Sequence, residues 1–207
     1  MVISSNIATV SYCAINSGRV IVNGKTLFDN QSEVFFKSIY EALELNYPKF
    51  FKMDELSKLC FLTTEYLMLN KDFSNTTPEE KVIVVHNRNS SLISDRKFSK
   101  SCEDVPSPSH FVYTLPNVMI GEVCIRNHIK GENHCFISET YEHEFQFELI
   151  KKLLLRGNKV CIHGWVDFGE HGYSSLLFLT TNDDKNNGSY FDHNKINQII
   201  EEYARAY

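Results

Sequence analysis

The sequence has few of the features that mark a nucleic-acid-binding surface or a membrane span. Lysine and arginine total 21 against 26 acidic residues, so the formal net charge is −5, and no dense basic cluster stands out. This balance argues against a nucleic-acid surface and against an acidic partner held by bulk charge. No apolar run approaches the length that a bilayer-spanning helix needs, so we expect no membrane association.

The sequence also lacks closely spaced pairs of cysteines. The six cysteines show no CxxC spacing, and five of them lie in apolar runs where packing explains them. They are Cys13, Cys60, Cys102, Cys124, Cys135 and Cys161. The first residues lack the basic region of a signal peptide. We therefore expect a soluble, reduced, cytoplasmic protein.

Metal-ligand spacings are not present either. His134, His143 and His163 could be combined with Cys135 or Cys161, but the distances along the chain match no known ligand pattern. Alternating polar and apolar strand positions explain these residues better. We expect no metal and no other cofactor.

The composition that remains is that of a globular protein. Apolar residues make up 43% and aromatic residues 13% of the 207 residues. This length suits one sizeable core, so we expect a single domain over residues 1–207, without internal repeats.

Strand and helix patterns alternate along the first half of the chain. The predicted elements are a strand at 8–15, a hairpin around Asn23-Gly24, a helix capped by Ser32, a helix after Tyr47-Pro48 and a buried strand at 81–86. A polar stretch from Asn87 to Ser109 follows, and it predicts a long loop that is functional or mobile.

The second half begins with loop, helix, strand and helix within about forty residues, a single βα crossover unit. Pro116 can open the first helix, Gly131 ends it, and the next helix begins near Tyr141. The inner face predicted for that next helix consists of Phe145, Leu149, Ile150, Leu153 and Leu154. Two strands, a surface loop at 182–189 and an amphipathic terminal helix complete the chain. That helix carries Ile196, Ile199, Ile200 and Tyr203 at helical spacing.

The crossover unit resembles the β-ketoacyl synthases of the thiolase superfamily, where a PNxxxG segment leads through a buried strand to the nucleophilic cysteine. The matching residues are Pro116, Asn117, Gly121, Gly131 and Asn133, with Glu132 in place of the family's proline. The resemblance covers roughly residues 8–181. It implies an α/β fold, namely the thiolase-like N-terminal half with a five-stranded mixed sheet and helices on its faces. A solitary half would leave an apolar face and an open edge at residues 133–138.

At the position of the family's nucleophilic cysteine, this chain has a different residue. Counting from Gly131 places its position at Thr140, whose hydroxyl is a far weaker nucleophile than a thiolate. Cys135 lies five residues too early and inside the predicted strand. The family's two catalytic histidines belong to a second half that we do not expect this chain to encode. The resemblance therefore implies that no condensing activity resides in this chain.

The loop and helix around residues 110–120 lie at the dimer interface in that family, where a side chain of one subunit closes the acyl tunnel of the other. The positions that the resemblance assigns to this interface or tunnel wall are His110, Phe111, Thr114, Asn117 and Met119. Ordinary core packing of the loop and helix is the alternative reading of this cluster. Lys130, Lys151, Lys152 and Arg156 either meet an acyl carrier protein or are simply solvated.

The leading hypothesis is a non-catalytic subunit like a chain length factor. It would form a heterodimer with a complete β-ketoacyl-ACP synthase and shape its acyl tunnel. The resemblance implies a setting in aryl-polyene or flexirubin-type pigment biosynthesis. Two alternatives stay open: a self-sufficient acyl-thioester hydrolase that uses Thr140 and His143, and a homodimeric module that binds acyl carrier protein.

Overall fold

The computed structural model describes residues 9–182, 189–190 and 193–203, and within those ranges eight strands form one mixed sheet with seven α-helices around it. The strands are β1 (Thr9–Asn16), β2 (Arg19–Val22), β3 (Lys25–Asp29), β4 (Lys81–Asn87), β5 (Asn133–Ile137), β6 (Val160–Gly169), β7 (Gly172–Thr181) and β8 (Ser189–Tyr190). The helices are α1 (Phe35–Ala42), α2 (Glu55–Met68), α3 (Leu92–Ser101), α4 (Pro108–Val112), α5 (Val118–Asn127), α6 (His143–Leu155) and α7 (His193–Tyr203).

The sheet runs in the order β3-β2-β1-β7-β6-β4-β5, and β8 pairs with the start of β1. Strand β4 is parallel to both of its neighbours, β5 and β6, whereas the other strands pair antiparallel. The α/β fold with a mixed sheet is confirmed. The count of five strands was too low, because the β2–β3 hairpin and β8 extend the sheet beyond the half that the resemblance implies.

Helix α2 lies across one face of the sheet and anchors the larger core. Its N-terminus is capped by Asp54, whose Oδ1 accepts a hydrogen bond from the Ser57 amide at 2.9 Å. Ten of its fourteen residues are buried, because it packs against the sheet on one side and against α1 and α5 on others. A helix that is apolar on most sides is typical of such an interior position.

Helices α6 and α7, both predicted from the sequence, cover the opposite face of the sheet. Ile196 and Ile200 of α7 are buried in one cluster with Trp165 and Phe178 of the sheet. The outer surface of α6 carries exposed charges, including the Glu148–Lys151 ion pair. Helices therefore lie on both faces of the sheet in the part of the chain that the structure describes.

The buried face of α6 differs from the predicted one by a shift in register. Phe145 is half exposed, whereas Gln146 and Phe147 are fully buried. Ile150 and Leu153 are buried as predicted. Polar Gln146 was not part of the predicted face, because apolar spacing does not indicate a buried amide that is satisfied by hydrogen bonds inside the protein.

The stretch predicted as a loop between Asn87 and Ser109 contains helix α3 and the start of α4. In α3 only Ser94 is buried, so the apolar periodicity that would reveal a helix is missing. Ser32 does not cap α1 directly, because its Oγ accepts from the Val34 amide at 3.1 Å, one residue before the helix. Most of the loop predicted at 182–189 lies outside the described residues.

Among the described residues, no helix combines the length and apolar character needed to cross a membrane.

The contact between α7 and the sheet leads to a stability prediction. Ile200→Ala should lower the free energy of unfolding by about 2–4 kcal/mol, because it removes buried methyl groups and leaves a cavity. Gln198→Ala, an exposed position on the same helix, should change it by less than about 0.5 kcal/mol. Urea unfolding followed by circular dichroism measures both. Equal stability of the two variants would show that α7 does not protect this face.

Candidate partner interface

Strand β5 forms one edge of the sheet and pairs only with β4 among the described strands. The Ser138 amide donates to the Asn87 carbonyl at 3.0 Å, and the Ile83 amide donates to the Glu132 carbonyl at 3.1 Å. Even-numbered positions therefore point their backbone groups at β4. The N–H and C=O groups that point away from the sheet belong to Asn133, Cys135 and Ile137.

Apolar side chains accompany this free edge. Ile137 is 51% exposed and Phe145, at the start of α6, is 50% exposed. Further exposed apolar residues lie on α4 and the turn after it, namely Phe111, Val112 and Leu115. An exposed apolar edge strand is a template for pairing with another chain.

The loop after β4 ties these features together at the carboxyl ends of the parallel strands. Asp167 of β6 accepts hydrogen bonds from the Asn89 amide at 2.8 Å and from the Asn89 side chain at 2.6 Å. Further along, the Ser91 hydroxyl donates to the Thr114 carbonyl at 2.7 Å. The loop is thus held at both ends, and it fixes the α4–α5 turn relative to the sheet.

Thr140, which the resemblance predicts at the family's nucleophile position, is exposed in the loop between β5 and α6. Its carbonyl accepts a hydrogen bond from the Ser138 hydroxyl at 2.7 Å. His143 is the first residue of α6, and its Nδ1 lies 3.4 Å from the Tyr141 carbonyl. No hydrogen bond joins the Thr140 hydroxyl to His143 in the described part of the chain, so the two are not arranged as nucleophile and base.

A different serine and histidine do meet here, and sequence reasoning missed them. His86 Nδ1 lies 3.2 Å from Ser138 Oγ. Since that hydroxyl donates to the Thr140 carbonyl, it accepts from the imidazole, which therefore carries its proton on Nδ1. Burial lowers the pKa of His86 to about 4, so the ring is neutral near pH 7. The pair was not recognisable in the sequence, because only the β4–β5 register brings it together.

A buried polar network lies beneath the same loop. The Gln146 amide donates to two backbone carbonyls of the sheet, so its Oε1 is free to accept from the Tyr141 hydroxyl and from His163 Nδ1. His163 Nε2 in turn accepts from the Thr180 hydroxyl at 2.9 Å. Burial lowers the pKa of His163 to about 3. The network holds Tyr141, and with it the β5–α6 loop, from inside.

Metal binding finds no support at these positions. Both ring nitrogens of His163 already have hydrogen-bond partners. Across the described ranges, no group of three histidine, cysteine or acidic side chains is arranged to hold a metal ion.

A cavity of about 540 Å³ lies between the start of α2, α3 and α4, and two α4-region residues, His110 and Tyr113, line it. Its opposite wall is closed by the hydrogen bond from the Ser94 hydroxyl to Asp54 Oδ2 at 2.6 Å. The Lys97–Glu55 ion pair, 2.7 Å long, closes the same wall. This volume falls within the range of small-molecule sites.

The other predicted interface residues differ from one another in their exposure to solvent. Phe111 is 57% exposed and packs against Phe98, with ring centroids 5.3 Å apart. The Thr114 hydroxyl donates to the Phe111 carbonyl, and Asn117 is exposed where α5 begins. Met119, in contrast, is 1% exposed and belongs to the core of this chain.

The chain is similar to known proteins in its structure and not detectably in its sequence. No protein-family model matches the sequence. No curated protein matches it either.

Two of the similar solved structures contain ketosynthases. One is the ketosynthase (ApeO) in complex with its chain length factor (ApeC) from Xenorhabdus doucetiae, with a TM-score of 0.57 and 14% identity over 84% of this chain and 79% of that chain. The other is the ishigamide ketosynthase/chain length factor, with a TM-score of 0.62 and 15% identity. That alignment covers 89% of this chain and 64% of the other. At such identities the similarity shows the ketosynthase-like fold.

The two buried histidines lead to a prediction about acid stability. Unfolded histidine titrates near pH 6.5, whereas His86 and His163 remain neutral in the folded chain down to about pH 4 and 3. Below pH 6.5 the unfolded state therefore binds more protons, and stability falls as pH falls. The loss approaches about 1.4 kcal/mol per pH unit for each histidine.

Urea unfolding at pH 7.5, 6.0 and 5.0 measures this slope. His86→Phe should make it shallower by the contribution of one histidine. Ser138→Ala removes the hydrogen-bond partner but keeps the imidazole, so it should retain the wild-type slope. An unchanged slope in His86→Phe would contradict the assignment of a neutral, buried His86.

Proposed function

We propose that this protein is a non-catalytic, ketosynthase-like subunit that acts like a chain length factor. It pairs with a complete β-ketoacyl-ACP synthase through β5 and shapes the acyl tunnel of that enzyme. The observation that carries the proposal is the free β5 edge, which lies beside the position where the family has its nucleophile. The neighbouring structures are of ketosynthases and chain length factors, and they support the same assignment.

The argument for a partner rests on the backbone. Asn133, Cys135 and Ile137 direct three N–H and three C=O groups away from the sheet, and the side chains of Ile137 and Phe145 are exposed. Proteins normally blunt such an edge with charge, proline or a covering segment. A strand of a ketosynthase laid along β5 satisfies these groups and buries the apolar side chains.

The argument against catalysis by this chain rests on the Thr140 loop. Thr140 has no positioned base, and His86 is neutral with its Nδ1 proton donated to Ser138. The partner therefore supplies every catalytic group for decarboxylative Claisen elongation of a carrier-protein-bound chain. We place this activity in polyene biosynthesis of the aryl-polyene or flexirubin type, in the cytoplasm.

The tunnel role is assigned to the exposed part of the predicted interface. His110 and Phe111 lie on α4, where His110 lines the cavity and Phe111 is exposed, and Thr114 and Asn117 follow in the turn to α5. Met119 supports this wall from within the core. Acyl carrier protein delivers the chain to the paired enzyme.

Blocking the β5 edge tests the pairing. Ile137→Pro removes one outward N–H without removing a hydrogen bond to β4, because odd positions of β5 face away from β4. We expect it to lower the affinity for the complete ketosynthase of the same organism at least about tenfold, since a ladder bond and the strand geometry are lost. Isothermal titration calorimetry of the purified proteins measures the affinity.

Ile137→Val is the matched control, because it keeps both the N–H and an apolar side chain at the same position. It should bind within about twofold of the wild type. Circular dichroism must show that both variants remain folded. Equal binding of folded Ile137→Pro and Ile137→Val would contradict pairing through β5.

The tunnel role predicts a change in product length. Phe111→Ala should allow the reconstituted pair to make longer acyl chains, because removal of the ring opens apolar volume beside α4. Val105→Ala, a similarly exposed apolar residue before α4, should leave the products unchanged. Mass spectrometry of carrier-bound products distinguishes the variants. If the pair with Phe111→Ala still assembles and its product distribution is unchanged, α4 contributes only packing at the interface and does not set product length.

A further inference from the structure

Residues 91–114 form a two-helix flap with a fixed neck. The flap contains α3 and α4, and it lies between β4 and α5 in the chain. At the neck, the Ser91 hydroxyl donates to the Thr114 carbonyl at 2.7 Å, so the two ends of the flap are joined to each other. Just before the neck, Asp167 of the sheet accepts from the Asn89 amide at 2.8 Å. The neck is therefore held to the sheet by contacts outside α3 and α4.

Helix α3 has few apolar contacts outside the flap among the described residues. Only Ser94 of this helix is buried. The ring of Phe98 packs against Phe111 of α4 at 5.3 Å between centroids, and that contact lies within the flap. Ile93 is half-buried in a small cleft that it shares with Leu56 of α2. Little apolar burial therefore opposes a local separation of α3 from the rest of the protein, which we call the body.

A polar latch fastens the middle of α3 to the start of α2. The Ser94 hydroxyl donates to Asp54 Oδ2 at 2.6 Å, and Lys97 pairs with Glu55 at 2.7 Å. These contacts exist only when α3 lies against the body, so they stabilise the closed position of the flap.

A second ion pair extends the latch to the sheet. Arg96 pairs with Glu170, which lies in the turn between β6 and β7. The side chains of the two ion pairs are 34% to 55% exposed, so water and salt screen both pairs. Exposed pairs of this kind each contribute little stability. The latch is therefore weak compared with an apolar core contact and can break while the core stays intact.

The cavity of about 540 Å³ lies between the flap and the body. The flap supplies one side of the lining and the segment around the start of α2 supplies the other. The lining residues of the flap are Ser94, Lys97, Ser109, His110 and Tyr113, and those of the body are Lys52, Met53, Asp54 and Glu55. Displacement of the flap therefore opens the cavity to solvent along one whole side.

We propose that the α3–α4 flap opens about its neck as one unit while the body stays folded, and that this opening admits a small molecule to the cavity. The volume is in the range of small-molecule sites. The latch formed by Ser94, Arg96 and Lys97 sets how often the flap opens. The inference concerns the chain alone and does not depend on the proposed partner.

Access to the cavity is measured by the reaction of iodoacetamide with a thiol placed on the cavity wall. Met53 is 3% exposed, and Met53→Cys puts the thiol on the body side, behind the flap. Two native cysteines calibrate the reaction in the same molecule, because Cys102 is exposed and Cys161 is fully buried beneath α6. Global unfolding exposes Cys161 and the introduced thiol together, whereas opening of the flap exposes the introduced thiol alone. Peptide mass spectrometry measures the labelling of each cysteine.

Variants of the latch are then made in this background, in the full-length chain. Ser94→Ala removes the hydrogen bond to Asp54 and leaves the Asp54 cap of α2 in place. Lys97→Met removes one ion pair and keeps a side chain of similar helix propensity. Lys37→Met is the matched control, because it removes an exposed ion pair with Glu41 on α1, which is unaffected by opening of the flap.

We expect the thiol of Met53→Cys to react faster than Cys161 and more slowly than Cys102. Low concentrations of urea should accelerate the labelling of Cys161 steeply and that of the introduced thiol only slightly, because opening of the flap exposes much less surface than global unfolding.

The latch variants should accelerate labelling of the introduced thiol. We expect at least about fivefold for Ser94→Ala and about two- to fivefold for Lys97→Met, because each removes a contact of the closed flap. A rise from 50 to 500 mM NaCl should accelerate labelling about twofold, since both ion pairs are screened. Lys37→Met should match the parent within about twofold.

Three results of the labelling overturn the inference. One is labelling of the introduced thiol at the rate and urea dependence of Cys161, which means that the flap opens only when the whole chain unfolds. Another is labelling as fast as Cys102 in every variant, which means that the cavity is open without movement of the flap. The third is equal acceleration by Lys37→Met and Lys97→Met, which removes the latch from the explanation.

Hydrogen exchange of the wild-type chain decides the question if Met53→Cys does not fold. A ten-residue helix without tertiary contacts is marginal in water, so α3 exchanges its amide protons when the flap opens. We expect the amides of α3 to be at least about tenfold less protected than those of α2, and to depend less on urea. Equal protection and equal urea dependence of α2 and α3 would overturn the inference.

Discussion

The parallel pairing of β4 with two neighbours is the constraint on which the rest of the structure depends. A strand that is buried on both faces and bonded on both edges needs apolar side chains through its middle, and the residues from Val82 to Val85 provide them. Parallel strands end at the same side of a sheet. The carboxyl ends of β4, β5 and β6 therefore gather His86, Ser138 and Asp167 into one region, while β5 is left as the terminal strand.

Much of this arrangement was predictable from the sequence. The β4 run, the hairpin at Asn23-Gly24, the long α2 and the helix-strand-helix order around β5 all have strong periodic or turn signals, and the structure confirms them. These elements are specified locally, by residues close together in the chain.

The failures concern features that depend on distant residues. Helix α3 buries only Ser94 and is held by the Asp54 and Glu55 side chains of a different element, so its polar sequence was taken for a loop. Gln146 was not part of the predicted inner face of α6, because the carbonyls that satisfy its amide belong to the sheet. His86 and Ser138 meet only through the β4–β5 register. Of the predicted interface residues, four are at least partly exposed, whereas Met119 lies in the core because its helix packs on α2.

Strand β1 lies between β2 and β7, and its register with β7 joins Thr9 to Thr181 and Asn16 to Ser174. During synthesis, β1 therefore emerges long before the strand that completes it. At about 5–20 residues per second, the apolar side of the β1–β2 hairpin waits roughly 10 to 30 s for β7. The nascent chain thus passes through a long stage in which its first hairpin has no sheet to join.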